Sequence, residues 1–97
     1  MAFEIVWSDD AKENYRDITY YLLENYSFEV AEKFTETLFD KVKLFEKNPR
    51  IGISSKRLSS LRKIIITSQT ALYYTIGGNQ ITIINLVDTR QKSNEDF

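Results

Sequence analysis

A single proline, Pro49, divides this chain of 97 residues into two halves with different sequence periodicities. Before it, apolar residues recur at steps of three and four, as they do on one face of a helix. After it, short runs rich in Ile, Tyr, Val and Thr are typical of strands. Because proline disfavours helical geometry in the residue before it, a helix that leads into this break must end near Asn48. A helical half followed by a strand-rich half predicts an α+β domain.

The helical half begins after a short β-type run over residues 3–7. Ser8 is a good N-cap, and the acidic pair Asp9 and Asp10 suits the first turn of a helix. The apolar stripe of this helix is Ala11, Tyr15, Ile18, Leu22 and Tyr26. Ser27 is the expected cap of a second helix, with a stripe of Val30 or Ala31, Phe34, Leu38, Val42 and Phe45. The short link between the helices predicts an antiparallel hairpin packed on the sheet.

The second half is expected to form three strands, over residues 61–67, 71–76 and 80–87. Gly77-Gly78-Asn79 supplies a tight turn between the last two strands. The complete order is therefore β-α-α-β-β-β on a mainly antiparallel sheet. Consecutive isoleucines at 64–66 and 83–84 indicate central strands that are covered on both faces. Helices account for one face, which leaves the other for a partner or for the C-terminal tail.

Length and composition exclude several classes of function. Ninety-seven residues suffice for one domain and not for two, so residues 1–97 are expected to form a single domain. The chain has no cysteine and no histidine, which excludes disulfides, cysteine nucleophiles and the commonest metal ligands. We therefore expect no metal site and no cofactor, and any catalysis must use Lys, Arg, Tyr, Asp or Glu. No run approaches the roughly 20 apolar residues that span a bilayer, so a cytoplasmic protein without membrane contact is expected.

The net charge of −1 conceals a segregation of charge along the chain. Residues 1–49 contain six Lys and Arg against eleven Asp and Glu, whereas residues 50–97 contain seven against three. A basic half on a nearly neutral chain can face nucleic acid, an acidic protein segment or the acidic helices of its own fold. The candidate binding residues are Lys56, Arg57, Arg62, Lys63, Arg90, Gln91 and Lys92.

Arg90 is the strongest of these candidates, because it follows the last strand, where side chains emerge at a sheet edge. Its alternative role is an ion pair with Asp88 or with a helix carboxylate. For Lys56 and Arg57 the alternative is a solvated loop without a binding function.

Short motifs along nearly the whole chain resemble those of the RelE/ParE superfamily of toxins from bacterial toxin–antitoxin pairs, which includes plasmid stabilisation proteins. The family shows an aromatic residue after the first strand, alanines in both helices, a Pro-x-x-Gly break, a Leu-Arg strand start, a tyrosine-containing strand and a closing basic pair. The matching residues here are Trp7, Ala11, Ala31 with Phe34, Pro49 with Gly52, Leu61 with Arg62, Leu72 with Tyr74, and Thr89 with Arg90.

The resemblance implies a toxin that a cognate antitoxin neutralises, and individual residues bear on which branch of the superfamily the chain is similar to. In the branch that cleaves messenger RNA on the ribosome, Lys and Arg residues and a C-terminal Tyr act on the scissile phosphate. The corresponding positions here are Ala71, Ile64 and Phe97. Arg62 and Arg90 remain, and guanidinium groups hold phosphate but accept no proton. The long helices and the break from Pro49 to Gly52 look more like the ParE branch, a resemblance that implies binding to DNA gyrase and no catalysis.

Two alternatives remain open at the level of sequence. One is a ribosome-dependent endoribonuclease that acts on mRNA with a non-standard basic set. The other is an inactive toxin-like module that retains only its protein interactions. The sequence does not identify the antitoxin or the oligomeric state of the complex.

Overall fold

One five-stranded sheet with two helices on one face makes up the fold, which a computed structural model describes for residues 3–90. The chain order includes a turn of 3₁₀ helix (Pro49–Ile51), and the regular elements are β1 (Glu4–Trp7), α1 (Asp9–Asn25), α2 (Phe28–Lys47), β2 (Ile53–Ser54), β3 (Leu61–Thr67), β4 (Thr70–Gly77) and β5 (Gln80–Asp88). The predicted α+β class and the order of the long elements are confirmed. The two-residue β2 and the 3₁₀ turn had no clear signal in the sequence.

Both helices begin at the serines that the sequence indicated. The Ser8 hydroxyl accepts a hydrogen bond from the Ala11 amide at 2.9 Å, and the Ser27 hydroxyl accepts one from the Val30 amide at 3.1 Å. These bonds satisfy amides that have no partner within the first turn of a helix. α2 ends at Lys47, directly before the Asn48-Pro49 step, as predicted. Within residues 3–90, neither helix is long and apolar enough to cross a membrane.

The strand order is β1-β5-β4-β3-β2. The pairs β2–β3, β3–β4 and β4–β5 are antiparallel, whereas β1 pairs with β5 in parallel. Parallel neighbours need a long crossover, and the hairpin of α1 and α2 lies within the segment that joins β1 to the later strands. The first strand therefore closes one edge of the sheet beside the last strand.

The helical hairpin and one face of the sheet enclose the core. The largest fully buried side chain is Tyr74, in the middle of β4. The buried apolar residues are Ala11, Ile18, Leu22, Ala31, Phe34, Leu38, Val42, Phe45, Ile66, Leu72, Tyr74, Ile81, Ile83 and Leu86. Both predicted stripes supply this core, with one correction. Tyr26, which continues the α1 stripe in sequence, lies one residue beyond the helix and is 52% exposed.

The second face of the sheet is open within residues 3–90. Ile65 is 49% exposed on β3, and Ile84 is 36% exposed at a β-bulge in β5. The helices therefore cover one face only. Within residues 3–90, the strands that contain consecutive isoleucines are not covered on both faces. Covering by a partner stays a prediction. The C-terminal tail, residues 91–97, lies outside the described residues.

Candidate functional sites at the two ends of the sheet

Tyr74 anchors the break between the helical and strand halves. Its ring stacks on Phe45 of α2, with a centroid separation of 4.5 Å and an interplanar angle of 7°. Its hydroxyl donates to the Pro49 carbonyl at 2.6 Å and accepts from the Gly52 amide at 3.0 Å. Burial raises the pKa of Tyr74, an effect that the Gly52 amide and the Arg62 charge partly offset. The phenol therefore stays protonated and holds both ends of the 49–52 segment.

Gly52 is required by this contact. A Cβ at position 52 would lie 2.5 Å from the Tyr74 hydroxyl oxygen and 3.0 Å from the Lys63 carbonyl oxygen, and only glycine leaves room for both. The Pro-x-x-Gly spacing, which the sequence presented as a helix break, thus also fixes a close approach between the break and β4.

Arg62 completes this end of the sheet. Its Nη1 atom donates to the Gly52 carbonyl at 2.7 Å and to the Arg50 carbonyl at 3.2 Å. We call Gly52, Arg62 and Tyr74 together the clamp. The guanidinium of Arg62 supports the backbone of the break, and its positive charge is not neutralised, because its hydrogen-bond acceptors are uncharged carbonyls. A binding role for Arg62 stays a prediction.

Arg90 lies at the opposite end and has a different partner. Its Nη2 and Nε atoms donate to the Asp88 carboxylate at 2.8 and 3.1 Å, and its amide donates to the same group at 2.8 Å. The Asp88 side chain is fully buried and also accepts from the Thr70 hydroxyl at 2.8 Å. The ion pair with Asp88 was the alternative reading of Arg90, and the structure contains it.

The electrostatics at this second end of the sheet favour the ion pair between Arg90 and Asp88. Burial alone would raise the pKa of Asp88, but Arg90 and the Thr70 hydroxyl together hold it below its usual value. The hydrogen bond to Asp88 in turn raises the pKa of Arg90. The guanidinium carbon also lies 5.6 Å from the centroid of the Tyr26 ring, within cation–π range. Arg90 also lines a cavity of about 260 Å³ between the helices and the β3–β4 turn. Its positive charge there is largely balanced by Asp88.

Lys56 and Arg57 lie on an exposed loop between β2 and β3. The loop is ordered by Ser55, whose hydroxyl accepts from the Arg57 and Leu58 amides at 3.1 and 3.2 Å. Both cations therefore point from a turn of defined shape into solvent. Two further predicted residues, Gln91 and Lys92, lie outside the described residues, as does Phe97.

Lys63 lies on the open face of the sheet, directly across from Tyr73. Both line a shallow cavity of about 240 Å³ whose remaining wall includes Ile65, Ala71 and Val87. Ala71, at the arginine position of the nuclease branch, is thus on this face. Ile64, at a lysine position of that branch, pairs with buried Leu72 and packs against the core, so it faces away from the cavity.

Two of the predicted basic residues, Arg62 and Arg90, do not lie together. Arg62 lies at the start of β3, whereas Arg90 borders the cavity that Thr67 lines at the end of the same strand. Arg62 and Thr67 are five positions apart along the strand, about 17 Å. Among the described residues, no group of three or more Asp and Glu side chains is arranged to hold a metal ion.

Two cations that the sequence analysis did not select, Lys47 and Arg50, do lie together. They border a cleft of about 520 Å³ at the end of α2. The sequence feature that could have identified them is their position on either side of Pro49. The end of α2 and the turn that follows bring both side chains to the rim of the cleft.

The strand–hairpin–sheet arrangement is the α+β fold of RelE/ParE-type toxins of type II toxin–antitoxin systems. The family model of the ParE toxin of the parDE system matches residues 5–93, and the chain belongs to this family. Family and fold thus agree with the expected RelE/ParE superfamily. No curated protein matches the chain at a significant level.

Solved structures show the same fold. The chromosomal ParDE system of P. aeruginosa is 17% identical, with a TM-score of 0.75 over 90% of this chain and 96% of that chain. The E. coli toxin RelE, as a mutant in the free state, is 18% identical, with a TM-score of 0.64 over 95% and 88%. The toxin–antitoxin complex RelBE2 of Mycobacterium tuberculosis is 12% identical, with a TM-score of 0.61 over 91% and 99%.

Proposed function

We propose that this toxin acts by binding DNA gyrase, without catalysis of its own, and that a cognate antitoxin neutralises it in the cytoplasm. The family assignment supports the toxin class, and the resemblance to the ParE branch supports the target. An antitoxin partner is supported by the toxin–antitoxin complexes among the structures with this fold.

The composition of the open-face cavity carries the proposal against a nuclease. Its walls contain one cation, Lys63, and no carboxylate among the described residues. Phosphodiester cleavage needs a group that takes up a proton and several donors around the phosphate. Ala71 brings no charge to this face, and Arg90 is paired with Asp88 elsewhere. A face with a single cation suits contact with a protein better than the charge stabilisation that phosphate chemistry needs.

The direct test is a supercoiling assay with purified gyrase, relaxed plasmid and the purified chain. We expect supercoiling to be inhibited at toxin concentrations that saturate gyrase. Adding the antitoxin to the toxin first should prevent this inhibition. An unchanged supercoiling rate, with folded toxin in excess, would refute gyrase as the target.

A pulse-labelling experiment in bacteria separates the targets in cells. Within minutes of inducing the chain without antitoxin, thymidine incorporation should fall while methionine incorporation continues. An early fall in methionine incorporation would instead favour the ribosome and mRNA. If neither falls while folded protein accumulates, the chain is an interaction module and not an active toxin.

One observation favours ribosome-dependent mRNA cleavage as the second candidate. Lys63 and Tyr73 are register partners on the same face, so a cation and a phenol line one cavity. Together they can orient a phosphate, and the phenol can exchange a proton. Tyr73→Phe removes that hydroxyl, and Tyr20→Phe, at an exposed helix position, is the matched control. Cleavage of ribosome-bound mRNA that Tyr73→Phe alone abolishes would establish this candidate in place of gyrase binding.

A further inference from the structure

The cleft at the end of α2 is larger than the two cavities described above. Its volume is about 520 Å³, against about 260 and 240 Å³ for the others. Its apolar walls come from Phe3, Pro49, Ile51 and Ile76. Ile51 is 42% exposed, so part of the apolar surface is open to solvent. The cleft is therefore able to take an aliphatic or aromatic side chain from another molecule.

The rim of this α2-end cleft is positively charged. Lys47 and Arg50 line it, both are exposed, and no carboxylate belongs to its wall among the described residues. Within residues 3–90 neither cation forms an ion pair. Lys47, in the last turn of α2, also offsets the negative end of the helix dipole. Arg50 lies beyond the end of α2, so it has no comparable role in offsetting the helix dipole.

The clamp holds this cleft in a fixed shape. The Tyr74 hydroxyl donates a hydrogen bond to the Pro49 carbonyl, and Arg62 donates hydrogen bonds to the carbonyls of Arg50 and Gly52. The segment that carries Arg50 and Ile51 is thus attached to β3 and β4 before any partner arrives. A pre-formed site avoids much of the ordering cost that binding otherwise carries.

We propose that the α2-end cleft binds an acidic peptide segment of a partner protein, with one aliphatic or aromatic side chain inserted between Phe3, Ile51 and Ile76. The carboxylates of the segment pair with Lys47 and Arg50 at the rim. The apolar walls and the two cations favour this partner over nucleic acid, which needs a longer track of cations and stacking surfaces. The site is separate from the open sheet face and does not depend on the toxin's target.

A fluorescence polarisation titration tests the proposal with the full chain. The probe is a short fluorescein-labelled peptide in which glutamates flank a central Leu-Phe pair. Saturable binding is expected, and Arg50→Glu should weaken it by roughly tenfold or more, because a rim attraction becomes a repulsion. Lys33→Glu is the matched control. It makes the same charge change on exposed surface about 21 Å from Lys47 along α2, and it should leave the affinity nearly unchanged.

Two further measurements distinguish a site from general charge attraction. Ile51→Ser, which keeps every charge, should also weaken binding, and the same peptide with lysines in place of glutamates should not bind. Amide chemical shifts should change around residues 47–52 and 76–79. The proposal is overturned if no saturable binding occurs, if Arg50→Glu and Lys33→Glu bind equally, or if the shifts map to the open sheet face.

Discussion

Arg62 and Arg90 lie at opposite ends of the sheet and stabilise the structure in opposite ways. Arg62 donates to two backbone carbonyls beside Gly52, so its charge persists next to the exposed cations of the α2-end cleft. Arg90 donates to the buried carboxylate of Asp88, so its charge is largely cancelled. The same residue type thus leaves one end basic and the other nearly neutral. Its partners, more than its place in the sequence, decide where positive potential remains.

The largest effect is expected from Gly52→Ala at the clamp. The new methyl group would meet the Tyr74 hydroxyl oxygen at 2.5 Å, so either the break or β4 must move. Overpacking of this kind destabilises by about 3 kcal/mol. Urea unfolding measures the change. Gly77→Ala is the control, because a Cβ there meets nothing within 4 Å, and its effect should be small. Equal effects at both glycines would show that the clamp is not a tight contact.

Tyr74→Phe tests the same end by deleting hydrogen bonds without changing the stacked ring. The Gly52 amide and the Pro49 carbonyl lose their shared partner, and the expected loss is about 2 kcal/mol. Urea unfolding again gives the free energy. Tyr20→Phe, on exposed helix surface, should be nearly neutral. A Tyr74→Phe protein as stable as the parent would mean that water replaces both bonds and that the clamp depends on Arg62.

At the other end, Asp88→Asn should cost about 1.5 kcal/mol near neutral pH, since the charge-assisted bonds to Arg90 are lost. The pKa of Asp88 is held below its ordinary value of 3.8 in the folded protein. Its contribution to stability is therefore present above that value and is lost as the pH falls through the lower folded-state pKa.

Urea unfolding at about pH 7 and about pH 3 measures this linkage. The difference in stability between the parent and Asp88→Asn should shrink at the lower pH. Asp40→Asn, at an exposed position, serves as the control. A gap that stays constant with pH would contradict a depressed pKa at Asp88.

The smallest expected effect is the influence of NaCl on the stability lost in Arg62→Ala and in Arg90→Ala. Arg62→Ala removes bonds to neutral carbonyls, whereas Arg90→Ala removes an ion pair in which the Arg90 side chain is 19% exposed. Raising NaCl to about 1 M should reduce the destabilisation by Arg90→Ala by a few tenths of a kcal/mol, because salt screens charge pairs. The destabilisation by Arg62→Ala should not change. The same salt response at both ends would remove the distinction drawn above.

Local sequence signals predicted the helices and strands well. The serine caps, the apolar stripes and the proline break depend on residues within a few positions of one another, and the folded chain retains them. Tyr26 shows the limit of this reasoning. It continues the stripe of α1 in sequence, but the helix has ended by that residue, so its ring is exposed and contacts Arg90 instead.

The sequence by itself determined the α+β class, the ends of the helices and the absence of cysteine and histidine chemistry. Only the tertiary structure decided that β1 lies beside β5, that Gly52 must admit the Tyr74 hydroxyl, and that Arg50 and Lys47 share a rim. The reason is the range of the interactions. Caps and stripes act over a few residues, whereas the clamp joins positions 22 residues apart and the β1–β5 pair joins positions 76 apart. Such partners are set by packing of the whole chain and not by local propensity.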